Sequence, residues 1–496
     1  MKICLISPRV AIQKNDFLGS GIPYWPIELA ILASTIRESD DVQVIDMFGS
    51  NPLEIERYQK FYMQGISIKE MLNQISESPE IFLIFAISYM SHDEILKCIS
   101  AIRKQYKKSK IGVIENSQAV TAYSIDSHRV EFFSAGADFL LCGEFNSDWS
   151  LVREQIKHRK FTSAFIVSQD SAGPPLRSVK TGYKFPFPSW DLFPIKNYWK
   201  LPYSHGPKTK KFLPILTSRG CPFPCDFCVV PTLNNRRWRG RPASEVVDEI
   251  AHLKETYQVR DFQIEDLNPT VNPNRWREIA DELIMRGLNI NYAFVSGTKA
   301  ETMHIDDLEK FRKSGLSYFS ISPESGSELL MSKIGKKFDY EHGLKLISAA
   351  KELGIYTQAC FLVGHPDEDI DDFKMTRSYL RRLLANGLDE VAVFVVAPFS
   401  GSKLHSEMRI LENKTEHINS FSPKNRVGYK EINAHRQALI LDFFKYKLMH
   451  PSEFIPQIIR SLFGEPRTKM ENLPMRIMYI YFILLRALLK GRKHEK

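Results

Sequence analysis

No Gly-x-Gly-x-x-Gly and no Gly-x4-Gly-Lys-Ser/Thr pattern follows any early apolar run of this 496-residue chain. Neither a dinucleotide nor a nucleoside triphosphate therefore finds the backbone cradle its phosphates need. Cysteine is scarce: seven residues, an odd number, in a long chain whose Met1-Lys-Ile-Cys-Leu-Ile-Ser-Pro8 start runs straight into a strand-like segment. That composition speaks against a secreted disulfide scaffold, and a cytoplasmic, reducing location is expected. Long apolar runs are also missing near the C-terminus. Ile477–Leu485 is nine residues between Arg476 and Arg486, against the ~20 that a spanning helix needs. Finally there is no long basic run: 67 Lys+Arg against 58 Asp+Glu leave a formal charge of +9, so no nucleic-acid partner is expected. The densest patch, Arg236-Arg-Trp-Arg-Gly-Arg241, mixes basic and aromatic groups that can stack on RNA, but its place just after the cysteines favours a structural or active-site role. What remains is ample: 43% hydrophobic residues over this length allow two full domains and a cap.

Three of the seven cysteines stand together in Arg219-Gly-Cys-Pro-Phe-Pro-Cys-Asp-Phe-Cys228, spaced C-x3-C-x2-C just past the apolar run Phe212–Thr217. A structural zinc wants four ligands, usually as two pairs. No second Cys/His pair follows, and His205 is a lone histidine upstream. Three thiolates at Cys221, Cys225 and Cys228 can instead hold three irons of a [4Fe–4S] cluster and leave the fourth iron open.

The octapeptide Cys221-Pro-Phe-Pro-Cys-Asp-Phe-Cys228 resembles the motif of radical S-adenosylmethionine (SAM) enzymes. The resemblance implies that SAM chelates the open iron and that Phe227, just before the third cysteine, packs on its adenine. It also implies the chemistry: the reduced cluster breaks the S–C5′ bond, and the 5′-deoxyadenosyl radical takes hydrogen from an unactivated carbon.

The following two hundred residues alternate between β-rich apolar runs and amphipathic segments. The runs are Leu213–Thr217, Phe262–Glu265, Tyr292–Val295, Tyr318–Ile321, Gln358–Val363 and Val391–Val396. Ala243–Glu255, Arg275–Arg286, Ile305–Lys313, Tyr340–Leu353 and Asp369–Leu384 have helical spacing. Six such alternations predict a parallel sheet curled into a partial (β/α)6 barrel, active at the strands' carboxyl ends. The strand ends carry Glu265-Asp266, Ser296, Ser322-Pro-Glu-Ser-Gly326 and Gly364-His-Pro-Asp-Glu368. Each is also a normal helix cap or turn; the resemblance implies SAM contacts at Asp266, Ser296, Glu324 and Gly364.

The first 150 residues have their own rhythm. Strand-like Ile3–Ser7, Val42–Met47, Ile81–Ser88, Ile111–Ile114 and Phe139–Cys142 alternate with helical Ile27–Glu38 and Glu94–Tyr106. The pattern predicts a doubly wound, flavodoxin-like α/β domain with ligands at its strand ends, in the loops Ser7-Pro-Arg9, Ser88-Tyr-Met90, Glu115-Asn-Ser-Gln118 and Gly143-Glu144. Such a domain before a radical SAM barrel resembles the cobalamin-dependent class, which includes methylases and the anaerobic porphyrin-ring cyclase. Gly143-Glu144 and the linker-like Phe187-Pro-Ser-Trp-Asp-Leu-Phe-Pro194 add to the likeness, which covers roughly residues 1 to 405. It implies cobalamin contacts at Ser7, Pro8, Ser88, Glu115, Gly143 and Glu144. Two departures stand out. Gly112-Val-Ile-Glu-Asn-Ser117 replaces the Gly-Gly-Pro-His-type turn of many relatives, and the Asp-x-His-x-x-Gly motif that gives cobalt a histidine is absent.

The division expected is 1–150 cobalamin-binding-like domain, 151–205 linker, 206–405 radical SAM barrel and 406–496 helical region. Its tail starts polar (Asn413–Lys430), turns helical (Glu431–His450) and ends in Leu473–Lys490; from Asn472 onward there are six Lys/Arg and one Glu. Such a helix suits either the headgroup region of an anionic bilayer or a buried cap. The expected function is methylation of an unactivated carbon of a hydrophobic, lipid-like or natural-product substrate with cobalamin as methyl carrier, served by a reductant such as flavodoxin or ferredoxin. Alternatives are oxidation, cyclisation or rearrangement by the same radical, a tRNA methylthiotransferase with further cluster cysteines among Cys4, Cys98 and Cys142, and a non-catalytic iron–sulfur protein. Cys360 suits a hydrogen donor inside the barrel or, more simply, a small core residue.

Overall fold

The computed structural model describes residues 1–13, 20–58, 61–76, 78–177, 182, 184–412 and 428–494. The N-terminal sheet contains β1 (Lys2–Ser7), β2 (Asp41–Asp46), β3 (Ile81–Ala86), β4 (Lys110–Glu115) and β5 (Phe139–Leu141), all parallel. A two-residue antiparallel edge, β6 (Ile166–Val167), completes the order β2-β1-β3-β4-β5-β6. Both faces are covered, so β3 is buried at all six positions and reads as a continuous apolar run. Alternation sorts the side chains of β1. Ile3 and Leu5 join the core with α1 (Ile27–Ile36), whereas Cys4 and Ile6 join that of α2 (His92–Gln105) and α3 (Arg129–Ala135). A further helix, α4 (Trp149–His158), follows β5. Strand order reverses between β1 and β3, where loops part and leave a crevice at the carboxyl ends. Beside it, Val10–Gln13, Phe61–Gln64 and Ile55–Tyr58 form a small antiparallel sheet that the sequence pattern did not announce.

The connecting segment is held by aromatic packing and hydrogen bonds. Trp25 packs on Trp190, Tyr198 and Phe212 at centroid distances of 5.4, 4.4 and 5.3 Å, and Ser34 Oγ donates to the Phe187 carbonyl at 2.5 Å. The second sheet follows in chain order: β7 (Phe212–Ile215), β8 (Asp261–Ile264), β9 (Asn291–Thr298), β10 (Leu316–Glu324), β11 (Tyr356–Val363) and β12 (Glu390–Val395), parallel throughout. Between them run α5 (Ala243–Tyr257), α6 (Pro273–Met285), α7 (Leu308–Ser314), α8 (Tyr340–Glu352) and α9 (Ile370–Ala385). Local chemistry sets the starts: Asn272 caps α6, and Asp369 with Asp372 forms a capping box on α9.

After the barrel come α10 (Lys403–Glu412), α11 (Tyr429–Met449), α12 (Pro451–Phe463) and α13 (Leu473–His494). The polar stretch expected from Asn413 lies outside the described residues as far as 427. Helix α11 is clamped to α9 by Arg377 and Asp442, two bonds of 2.8 Å. The turn before α13 sends Lys469 inward, where its ammonium donates to Val295 O at 2.8 Å and Gln358 Oε1 at 3.3 Å. Helix α12 escaped the sequence pattern because Pro451 and Pro456 suggest interruption; Pro451 starts it instead, at the first turn where a missing N–H costs nothing.

Candidate functional site

The cysteine loop leaves β7 through Gly220, whose φ of +76° puts a would-be Cβ 2.1 Å from the Arg237 carbonyl, so only glycine fits there. Cys221, Cys225 and Cys228 follow as free, half-buried thiols. Burial pushes all three upward, Cys225 to about 11. They are protonated at neutral pH and give up protons only to a cation that outcompetes them. Asp226 between them fastens the loop: its N–H donates to Ile334 O at 3.1 Å, its carbonyl accepts from Leu404 N–H at 2.9 Å, and Oδ2 meets His365 Nε2 at 3.1 Å. Its other oxygen, Oδ1, is buried without a partner. Phe227 packs with Val396, Leu404 and Met408.

The strand-end residues arrive by different routes. Glu324 closes β10 with φ +58°, a left-handed backbone costly for glutamate, and its Oε1 accepts from Lys336 Nζ at 2.6 Å. That buried pair is electrostatically coupled to Cys225. Ser296 is buried beside a register break between Phe294 and Gly297, the irregularity that re-aims side chains at barrel rims. Gly364 has φ +82°, and a Cβ would lie 2.7 Å from Ile432 Cγ2 on α11; its N–H donates to Glu368. Asp266 is fully buried and engaged. Its oxygens accept from the Thr217 N–H and hydroxyl, both at 2.6 Å, and from the Ser218 hydroxyl at 2.5 Å. It holds the start of the cysteine loop, while neighbouring Glu265 meets His205 Nδ1 at 2.7 Å.

At the N-terminal sheet's carboxyl edge, Ser7 and Pro8 are buried at the end of β1, and the Ser88 hydroxyl accepts from Met90 N–H at 3.4 Å. Ser88 lines a crevice of about 420 Å³, open mouth included, with Val10, Tyr24, Ile87 and Thr121. The Thr121 hydroxyl is buried there without a partner, which suits a polar ligand at the switch point. Glu115 is held by Arg177 through bonds of 2.7 and 2.8 Å and accepts Gly143 N–H at 2.9 Å. Burial raises Glu144, which pairs with Arg239 and accepts from Gln118 at 3.0 Å. Within the Arg236–Arg241 patch, Arg239 and Arg241 thus turn inward, Arg241 pairing with Glu249 at 2.6 Å, while Arg236 and Arg237 are exposed.

One residue of the candidate loop Glu115–Gln118 joins the strand ends of the two sheets. The Gln118 amide, after β4, accepts Gly220 N–H at 3.0 Å and donates to Asn234 Oδ1 at 3.0 Å. Asn234 in turn donates to the Ser117 carbonyl at 2.7 Å. The sequence offered this loop for ligand binding; an amide side chain carries no spacing signal for its partner, so only the fold gives Gln118 its bridging role. Cys4, Cys98 and Cys142 are fully buried in one apolar cluster, which removes the extra cluster ligands a methylthiotransferase would need. Cys360 is half-buried, 3.3 Å from Ser320 Oγ.

Comparison with known proteins agrees with this geometry. Residues 215–380 match the family model of the radical SAM superfamily. The chain is 23% identical over 411 residues to an uncharacterized methyltransferase of Pyrococcus horikoshii, covering 82% of each chain. It is 26% identical over 456 residues to the cytidylyl-2-hydroxyethylphosphonate methyltransferase of Streptomyces wedmorensis, covering 82% of this chain and 81% of that one. Its fold resembles that of the cobalamin-dependent SAM radical enzyme OxsB, solved with aqua-cobalamin and SAM bound. There the TM-score is 0.64 at 14% identity, covering 100% of this chain and 80% of that one.

Proposed function

We propose, from the premise that this chain belongs to the radical SAM superfamily in the architecture of its cobalamin-dependent members, that it methylates an unactivated carbon of a hydrophobic or natural-product substrate. The two relatives that match over four-fifths of the chain are named methyltransferases, and its cofactors are a [4Fe–4S] cluster, SAM and cobalamin. When bound, these supply the electron, the adenosyl group and the methyl carrier. The protein's part is placement. Cys221, Cys225 and Cys228 would hold the cluster, with the buried Glu324–Lys336 pair at their side. Phe227, Ser296, Glu324, Gly364 and the unpartnered Asp226 Oδ1 are the groups we assign to SAM. Asp266 acts through Thr217 and Ser218, as a positioning residue. Ser7, Pro8, Ser88, Gly143 and Thr121 are assigned to the corrinoid; Glu115 and Glu144 hold those loops in place through Arg177 and Arg239.

The observation that carries the reading is the Gln118–Gly220 contact at 3.0 Å, which presses the strand ends of one sheet onto the cysteine loop of the other. Cofactors seated at those strand ends and at the cysteine loop would face each other across this contact. A low-potential donor of the flavodoxin or ferredoxin type would supply electrons. Anaerobic purification with cobalamin tests the scheme: about four irons and one cobalt per chain are expected, and turnover yields S-adenosylhomocysteine together with 5′-deoxyadenosine. Iron without cobalt, and 5′-deoxyadenosine alone, would replace methyl transfer by radical oxidation or cyclisation.

We also assign a peripheral membrane contact to 473–490, extended by α12. Leu462, Phe463, Met478, Phe482, Leu485 and Leu488 are all more than half exposed on two helices that pack together. Met470–Leu489 is apolar enough to span a bilayer, with mean hydropathy 1.3. Its other face, however, is spent on the protein: Ile480 and Ile483 are buried, and the Tyr479 hydroxyl donates to Pro52 O at 2.8 Å. A helix with one face docked and one apolar lies along a surface, and its Lys/Arg excess suits an anionic one.

A further inference from the structure

His92 opens α2, and His128 and Glu131 stand at the start of α3, so the connections after β3 and β4 bring two imidazoles and a carboxylate to one point. Their ligand atoms all lie within 4.8 Å of one another. His92 Nε2 is 3.1 Å from one oxygen of Glu131, and His128 Nδ1 is 2.8 Å from the other. Each ring is also held from behind. The Tyr123 hydroxyl lies 3.0 Å from His92 Nδ1, and the Ser400 hydroxyl 2.8 Å from His128 Nε2. Metal-binding imidazoles are oriented in this manner, since the partner of the far nitrogen fixes ring plane and tautomer. Tyr89, Tyr123 and Phe132 pack against His92, while the Glu131 side chain is 51% exposed, leaving a path from solvent.

We propose that His92, His128 and Glu131 form a binding site for a divalent cation of the zinc type, with two imidazole nitrogens and a carboxylate oxygen as ligands and a fourth position open to water. The donor set is nitrogen and oxygen without thiolate, which suits zinc and its first-row neighbours over calcium or magnesium. Binding needs no net loss of protons from the rings. Each imidazole moves its N–H to the far nitrogen, where the Tyr123 or Ser400 oxygen accepts it, and turns a lone pair toward the ion. The carboxylate, freed from bridging the two rings, becomes the third ligand.

The site is placed to join the two halves of the molecule. Ser400 belongs to the segment after β12, and its carbonyl accepts the Ser124 N–H at 2.8 Å. Phe399 of the same segment lies 6.3 Å from the Tyr89 ring. A cation there would fasten the N-terminal unit to the barrel's last loop, whose Gly401 carbonyl in turn accepts the Thr232 hydroxyl at 2.7 Å.

Holoenzyme with its cluster assembled should be titrated anaerobically with cobalt(II) as a zinc surrogate. One equivalent is expected to bind with the visible absorption of nitrogen/oxygen-ligated cobalt and without a thiolate charge-transfer band. His128→Ala and Glu131→Gln are expected to weaken it at least about tenfold. Zinc-edge X-ray absorption on the wild-type protein guards against variants that fail to fold: a first shell of nitrogen and oxygen with imidazole scattering is expected. No bound equivalent, undiminished binding in both variants, or a shell containing sulfur would overturn the proposal.

Discussion

At the residue scale, burial sets the chemistry more than proximity does. Asp46 ends β2 fully enclosed; burial pushes its carboxyl up to about 6 although Gly49 N–H and the Tyr198 hydroxyl donate to it at 2.9 and 2.8 Å. Below the ordinary value of 3.8 the group is neutral in both folded and unfolded chains and costs nothing. As pH rises toward 6 the unfolded chain ionises first, so stability falls, and above 6 the penalty of about 3 kcal/mol is fully present. Asp46→Asn should therefore stabilise the protein by about 1–2 kcal/mol at pH 7.5 and destabilise it by about 1 kcal/mol at pH 4, because the roughly 1–2 kcal/mol lost to poorer hydrogen bonding is the same at both and only the charged carboxylate carries the larger penalty. Denaturant melts at the two pH values measure it; equal effects at both would refute the cause. Gly364 makes the opposite case, where a missing side chain matters. Gly364→Ala at φ +82°, with its methyl 2.7 Å from Ile432, should cost about 1–3 kcal/mol and slow SAM cleavage, read as 5′-deoxyadenosine formed per minute.

Among the elements, α12 and α13 differ from the rest in what they leave uncovered. Barrel helices bury one stripe against the sheet, as α9 does with Phe373, Leu380, Leu383 and Leu384, and show a polar face outward. The last two helices show Leu462, Phe463, Phe482 and Leu488 to solvent, a patch of the kind that marks an interaction surface. Leu462→Asp combined with Phe463→Asp should abolish co-sedimentation with vesicles containing phosphatidylglycerol, leave iron content unchanged, and have no counterpart on neutral phosphatidylcholine vesicles. Retention of binding by this variant, or a dimer that it dissociates, would assign the face to something other than a lipid surface.

For the molecule as a whole, the proposed function depends on the strand ends of one sheet meeting the cysteine loop of the other. At the strand ends the joint is polar, made by Gln118, Asn234, Glu144, Arg239 and the Arg219–Glu28 pair at 2.7 Å. Such contacts fix register and orientation more than they contribute net stability. Gln118→Ala should leave cluster content and 5′-deoxyadenosine formation close to wild type while lowering methylated product by about ten- to a hundredfold, because misplacement of one reacting partner is felt steeply in rate. Equal loss of both products would make Gln118 a residue of the cysteine loop alone.

Much of this was legible before any fold was in hand, because it is written locally. Cysteine spacing is a distance along the chain, and the period of apolar residues reports strand or helix directly, so Ile81–Ser88 and Tyr340–Leu353 correspond to β3 and α8 with ends shifted by a residue or two. Glycines at strand ends were likewise visible, since φ above zero restricts the residue type. Tertiary structure decided what depends on two distant segments meeting. It turned Asp266 toward Thr217 rather than outward, enclosed Glu115 with Arg177, gathered His92, His128 and Glu131, and made Gln118 the bridge to Gly220. It also exposed the apolar face of α12, whose prolines had hidden it. A side chain's type and its neighbours in sequence fix its propensities; its partners, and hence its charge state and its work, are fixed only when long-range packing chooses them.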